Sequence, residues 1–327
     1  MRLIKKIFII ILVPLFLQSI YASSFKKYAG EFMYVGGSTR GTAMGGPFTA
    51  LANDVSSVYW NPAGLIEADG LQVQFMHSRI FLNSIENNAV MASNPFTENS
   101  TIGFSLSYLT VNDIKNSTGA FNELLGRVDP SKVSLFNTGD YIFTASYAQV
   151  FNEHINWGLN VKFIYRDYEL ENATGIGFDA GFKYINENLK LGLVLRDFTT
   201  TMIAWSTNEK EFVVPSARLG AAYTIQIPAI NLTLTPSTDV NILAENREYS
   251  AQVNAGLFSA DFMAGMEAVY YDLVAIRIGV DDLQRINTGI GISLPRVNID
   301  YAFTFYESEL GNIQRISFHL LLGDLLN

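Results

Sequence analysis

Residues 156–166 read NWGLNVKFIYR, and a large apolar side chain falls on every second position of that run. Trp157, Leu159, Val161, Phe163 and Tyr165 face one way; Asn156, Gly158, Asn160, Lys162 and Arg166 face the other, with Ile164 the exception. Successive side chains of a β-strand point to opposite faces, so the spacing predicts a strand with one apolar and one polar face. The next run continues the rule. Ile176, Phe178, Ala180, Phe182 and Tyr184 oppose Gly177, Asp179, Gly181 and Lys183; across an apparent turn, Leu189, Leu191, Leu193 and Leu195 oppose Lys190, Gly192, Val194 and Arg196. The pattern persists in residues 217–226, 232–242, 274–281, 286–294, 297–306 and 316–322, and helical periodicity is nearly absent.

Alternation by itself fits a soluble sandwich as well as a membrane barrel, since both have one apolar and one polar face. Three features favour the barrel. The runs are about ten residues long, the length a tilted strand needs to cross a bilayer. They are too numerous for one sandwich. Their polar face carries Gly, Ser and Asn with charges of both signs: Lys162, Arg166, Lys183, Lys190, Arg196, Arg218 and Arg277 against Asp179, Asp239, Glu267 and Asp300. An Arg or Lys facing lipid at mid-depth costs about 2–4 kcal/mol, so these belong inside, as a network tying the wall to a filling or as a polar path. Barrels of this class keep periplasmic turns short and outer loops long. Short connections are expected at residues 152–155, 186–188 and 228–230, long ones at 112–139, 199–213 and 244–261, and the two kinds alternate. A simple tally gives fifteen runs, but an even number is needed to return the chain end to the periplasm, so residues 251–258 are assigned to an outer loop or strand extension. The fold class expected is all-β, a transmembrane antiparallel β-barrel of about 14 strands.

Such a barrel is wider than its own side chains can fill, because about eight strands already mark the filled limit. Residues 36–65, GGSTRGTAMGGPFTALANDVSSVYWNPAGL, do not alternate and are too apolar for a free linker. They predict an N-terminal plug within residues 23–70, ahead of the barrel at 71–327, with very short helices starting near Gly46-Pro47 and Asp54-Val55 and a turn at Asn61-Pro62. Gly45, Gly46, Asp54, Trp60, Asn61, Pro62 and Gly64 are its candidate key positions. Residues 1–22 have a basic start, an apolar run at 7–17 and a small residue at Ala22, the layout of a secretory signal peptide. The apolar run is too short for a transmembrane helix.

The chain has no cysteine, which excludes a disulfide scaffold and thiolate chemistry, and its three histidines, His77, His154 and His319, lie far apart and read as interfacial or turn residues. A net charge of −9 disfavours nucleic acid as a partner. Aromatic residues make up 13 % of the chain against only 9 prolines, which suits long strands with aromatic girdles. No catalytic constellation stands out. Gly175, Gly177 and Gly181 imitate a phosphate loop, but their spacing is wrong and they sit inside a strand. The expectation is a non-enzyme without metal or cofactor, whose partners include outer-membrane lipid. In the connection at 112–139, Phe121, Leu124 and Leu125 stand among polar residues, and exposed apolar residues on an outer loop mark a candidate contact surface.

The run from Ala43 to Leu65, AMGGPFTALANDVSSVYWNPAGL, resembles the N-terminal signature of PorV/PorQ-type outer-membrane proteins and, more distantly, of FadL-type transporters of hydrophobic compounds. The likeness continues through DYIFTASYA at 140–148, WGLNVK at 157–162, GFDAGFKY at 177–184, Trp205 with Val214-Pro215, and RLGAAY at 218–223. The resemblance implies a fourteen-strand barrel behind the N-terminal segment. It also implies a part in type IX secretion and surface attachment, with secreted proteins or secretion components as partners. The alternative it carries is passive transport of hydrophobic small molecules, and a purely structural barrel is a third reading. The chain ends LLGDLLN, whereas many barrels finish at an aromatic residue.

Overall fold

In a computed structural model of the protein, which describes residues 29–82, 84–122, 126–248, 250–306 and 311–323, the alternation seen at 156–166 becomes the two faces of a closed wall. Fourteen strands make that wall: β1 (Gln72–Ile80), β2 (Ile85–Thr97), β3 (Ser100–Asn116), β4 (Ser134–Asn152), β5 (Ile155–Tyr168), β6 (Glu171–Asn186), β7 (Leu189–Arg196), β8 (Ser216–Tyr223), β9 (Leu232–Leu243), β10 (Phe258–Tyr270), β11 (Val274–Val280), β12 (Ile286–Leu294), β13 (Val297–Thr304) and β14 (Ile313–Leu321). Each runs antiparallel to the next. The seam closes where β1 pairs with β14, from Gln72 opposite Leu321 to Arg79 opposite Gln314. Closure leaves no sheet edge, and every wall strand finds its hydrogen-bond partners within the chain, as a bilayer requires. No helix among the described residues is long and apolar enough to cross a membrane.

Burial is inverted relative to a water-soluble protein. Lys183 is 1 % exposed, whereas Ile276 on the opposite face is 63 % exposed. Only an apolar medium outside and a polar, filled lumen inside make that arrangement favourable. On the outer face, Phe104, Phe143 and Phe163 form a ladder across β3, β4 and β5, with neighbouring ring centroids 6.2 and 6.4 Å apart. Tyr108, Tyr141 and Tyr165 form a second ladder toward the loops, and Tyr147 with Trp157 lies toward the turns. Trp157 and Tyr165 are eight residues apart on β5, so the rows are separated by about 26 Å of strand at roughly 3.3 Å per residue. Tilt shortens this to about 20 Å, close to the apolar band of an outer-membrane barrel.

Several expectations are refined. Residues 251–258 contribute only a short strand, Val253–Ala255, and the first residue of β10, so they add no wall strand. The long connections are narrower than 112–139 and 199–213 suggested. Strands β3 and β4 stay paired out to Asn116 and Ser134, beyond a bulge between Val111 and Ile114, because their ladder continues past the membrane band. A hairpin, Thr201–Trp205 with Lys210–Val213, prolongs β7 and β8 and pairs with β6 through Met202 and Ile176. The expected helix start at Gly46-Pro47 is absent: Gly45 and Gly46 both have positive φ and the chain turns there. The helices are α1 (Thr39–Ala43), capped by Ser38, whose Oγ accepts from Gly41 N, and α2 (Ser57–Trp60), each about one turn long. Asn61-Pro62 opens a 3₁₀ helix, Pro62–Glu67, as its N-cap and first residue.

Residues 29–69 pack against the inner face of the wall. Met44, Phe48, Ala50, Leu51, Ala52 and Trp60 bury one another against Ala222, and Val58 and Leu65 pack on Ala148. Close approach depends on inward glycines of the wall. A Cβ on Gly279 or on Gly265 would overlap the Met44 carbonyl oxygen. Replacing Gly279 by Ala is therefore expected to push the segment off β11, at a cost of about 1–3 kcal/mol typical of overpacking. The check is faster tryptic cleavage at Arg40 in the folded protein; unchanged cleavage would mean that the contact is not tight.

Candidate functional site in the lumen

The inner face supplies charges at fixed register positions, and the inner segment brings three of its own among them. Arg40, on α1, donates from Nε and Nη2 to Glu267 of β10 at 2.9 and 2.8 Å. Glu267 also accepts from Arg277 Nε of β11 at 2.6 Å, and Arg277 Nη1 reaches Asp300 of β13 at 2.6 Å. On the segment's side, Arg40 Nη1 donates to Asn53 at 2.8 Å and stands 3.4 Å from Asp54. The result is a line of alternating charge from the segment through three wall strands. Room for it comes from Gly291, where a Cβ would stand 2.5 Å from Asp300 and 2.6 Å from Arg277.

Other wall charges are also paired. Lys162 holds Asp179 at 2.7 Å and Asp197 at 2.6 Å, and the Tyr34 hydroxyl donates to Asp197. Lys183, from β6, donates to the Ala52 carbonyl at 2.5 Å and pairs with Glu67, which also holds Lys190 at 2.7 Å. Arg166 binds Asp140 at 2.6 Å, and its guanidinium stacks 4.3 Å over the Phe32 ring. Arg218 stands 3.6 Å from Asp239, whose other contacts are the Thr49 N–H and hydroxyl at 3.1 and 2.7 Å. Arg196 lies over Tyr34 and Tyr59, 5.4 Å from each ring. Buried charges persist when paired and hydrogen-bonded, and here much of the pairing crosses between wall and segment.

The candidate key positions of the segment have identifiable contacts. Trp60 Nε1 donates to Ser38 Oγ at 2.8 Å, and its ring meets Phe48 and Tyr59 edge-on. Asn61 Nδ2 donates to the Thr49 and Phe182 carbonyls at 2.9 and 3.2 Å, and its Oδ1 accepts from Ala63 N at 3.1 Å. Asp54 Oδ1 accepts from Ser56 N at 2.8 Å. Gly45 takes a positive φ beside the Val280 backbone, Gly46 another, and Gly64 presses on the Ala52 carbonyl with Pro62 buried two residues before it.

Arg40 and Glu67 were not among the sequence candidates. A signal existed: the segment from 29 to 70 carries few charges, and each buried wall charge required a partner. His319 corrects the reading of the histidines, for it is buried on the inner face and its Nε2 lies 2.9 Å from Gln72 Oε1. His154 does lie in a turn, and His77 is bonded to Asn88 at 2.6 Å. No cluster of three potential metal ligands occurs among the described residues. Between segment and wall lies a cavity of about 50 Å³, lined in part by Tyr34, Ser107, Thr144, Asn160, Lys162 and Arg196. Away from the wall strands, burial raises the Glu31 and Asp282 carboxyls, while Arg247 pulls Glu31 back down and Arg218 does the same to Asp282. In the loop after β3, Phe121 is 59 % exposed on a small hairpin with Val128. Leu124 and Leu125 lie outside the described residues, as do residues 1–28 with the expected signal peptide.

Comparison with solved structures places the wall in a known architecture. The toluene transporter TodX of Pseudomonas putida matches with a TM-score of 0.54 at 11 % identity, over 87 % of this chain and 96 % of that one. A deltaS2S3 mutant of the TodX monoaromatic hydrocarbon channel gives 0.52, also at 11 % identity, over 87 % and 97 % of the two chains. A Pseudomonas aeruginosa FadL homologue gives 0.49 at 12 % identity, over 86 % and 97 %. At such identities the likeness is one of fold. No curated relative matches the chain. The family model of the type IX secretion system membrane protein PorP/SprF matches residues 56–323. The resemblance named a type IX secretion barrel of the PorV/PorQ type; the secretion system is kept, and the family that matches carries the other name. By a match over most of its length, on a closed barrel of outer-membrane type, the chain belongs to the PorP/SprF family of type IX secretion system membrane proteins.

Proposed function

We propose that this barrel is a non-enzymatic outer-membrane component of type IX secretion, and that it meets secreted proteins or other secretion components at its long-loop end. The observation that carries the reading is the match of the PorP/SprF family model to residues 56–323. The filled lumen supports it: the segment 29–69 is tied to the wall by ion pairs, and the cavity beside it, lined by Lys162, Arg196 and hydroxyl groups together with Phe32, Met33, Val58 and Ile142, has a volume of only about 50 Å³. Such a space suits a few waters better than a hydrocarbon. In this reading residues 1–22 are removed on export, residues 23–70 plug the barrel, and the inward charges hold the plug.

Phe121 is one of several exposed apolar groups at the long-loop end, with Val128 and Leu135 near it in the chain, and is the proposed partner contact. Changing Phe121, Leu124 and Leu125 together to Ser is expected to leave barrel assembly intact. Cargo held at the cell surface is expected to fall about tenfold or more, the effect of losing a buried aromatic anchor in an interface. Surface proteomics of the complemented knockout measures it. A loss of uptake of hydrophobic compounds with normal cargo would instead favour the transport reading, and no effect on either would reduce the loop to packing.

A further inference from the structure

The inner segment crosses the lumen from end to end, and its contacts fix its direction. At its C-terminal end Gly70 packs on Gly323, beside the start of β1 and the end of β14, on the side of the barrel that carries the short turns at 153–154 and 187–188. At its N-terminal end Ala29 and Met33 pack on Ile164, Ala173, Ile203 and Val213. Those wall residues lie at the other ends of β5 and β6 and in the hairpin that prolongs β7 and β8. Arg166 covers Phe32 there, and Glu31 is exposed, with its electrostatic neighbours, Arg247, Asp282 and Glu245, all in connections at the same end. The segment thus enters beside the short turns and rises to the mouth where the long loops are.

We infer that the N-terminal end of this segment, from Ala29 to Tyr34, is displayed at the outer, long-loop face of the barrel and not toward the periplasm. A barrel assembled from the periplasm must then carry its own N-terminal end across the membrane as the β1–β14 seam closes around it. Glu31 and the loop residues beside it become part of the surface that an extracellular partner meets. The inference rests on the barrel and its orientation and is independent of the secretion role.

The chain has no cysteine, so single thiols report position cleanly. Glu31→Cys, Lys132→Cys in the long loop after β3 and Glu153→Cys in a short turn replace exposed side chains. With a membrane-impermeant maleimide on intact cells, Glu31→Cys and Lys132→Cys are expected to label to the same extent. Glu153→Cys should label only after the outer membrane is permeabilised. If Glu31→Cys follows Glu153→Cys, or labels only after unfolding, the threading is overturned. If Lys132→Cys and Glu153→Cys exchange their behaviour, the barrel is inverted and the outer display fails with it.

Discussion

A chain lacking residues 23–65 is expected to assemble in the outer membrane and to leak. The wall retains its closed ladder and its own ion pairs, among them Lys162–Asp179, Arg166–Asp140 and Arg277 with Glu267 and Asp300. What it loses is the apolar bulk of Met44, Phe48, Leu51 and Trp60 and the charges of Arg40 and Asp54. Groups stranded by the deletion, such as Asp239 without Thr49, face entering water and need no further partner. Side chains fill a barrel of about eight strands, and those of 16–18 strands hold aqueous channels, so fourteen leave a passage when emptied. Cells carrying the deletion should become sensitive to antibiotics that the outer membrane normally excludes. Asn61→Ala should show the same change more weakly, since it removes three hydrogen bonds of a buried side chain but leaves the segment in place. An assembled deletion with wild-type resistance would assign the seal to the loops and the wall charges.

The second large effect is expected at Glu267, which sits between Arg40 and Arg277 with 5 % of its side chain exposed. Glu267→Ala leaves the buried Arg277 and the half-buried Arg40 short of a counter-charge, and removing one member of a buried ion pair costs about 3–5 kcal/mol. Glu267→Gln keeps the shape and some hydrogen bonding and should cost less. Urea unfolding in lipid vesicles, followed by the gel shift between folded and unfolded barrel, gives both values. A change below about 1 kcal/mol for the Ala variant, the range of exposed pairs, would mean that water already screens these charges and that the segment is held by apolar packing alone.

The wall was legible because its signal repeats. Each strand restates the same period, and a lipid face and a polar lumen leave little freedom about which side chain points where; of the charges assigned inward from spacing, Lys162, Asp179, Lys183, Arg196, Arg218, Glu267, Arg277 and Asp300 are buried, and Arg166 and Lys190 are half-buried. The exception, Ile164, is informative. It breaks the alternation because the apolar end of the inner segment, Ala29 and Met33, docks on it there. Partners were not legible: Arg40 finds Glu267 across 227 residues of sequence, and Lys183 finds Glu67 across 116. Nothing local encodes such meetings. Boundaries within the segment failed for a related reason. Gly46-Pro47 has the residues of a helix start, but the turn it makes is dictated by contact with the wall at Val280 and Met263, and one-turn helices have too little propensity of their own to be read in advance.

Whether the segment 29–69 occupies the lumen is tested most directly by a covalent link between it and the wall. In the wall, a Cβ on Gly103 would lie 2.7 Å from Cγ2 of Val58 on α2, so cysteines at the two positions fall close to the roughly 3.5–4.5 Å between β-carbons that a disulfide spans. The measurement is the state of the thiols in the membrane-embedded Val58→Cys/Gly103→Cys protein after mild oxidation, read by mass spectrometry of the linked peptides. With the segment in the lumen, a disulfide between α2 and β3 is expected, with no maleimide labelling until reduction. Two free thiols, both labelled in the folded barrel, would contradict it.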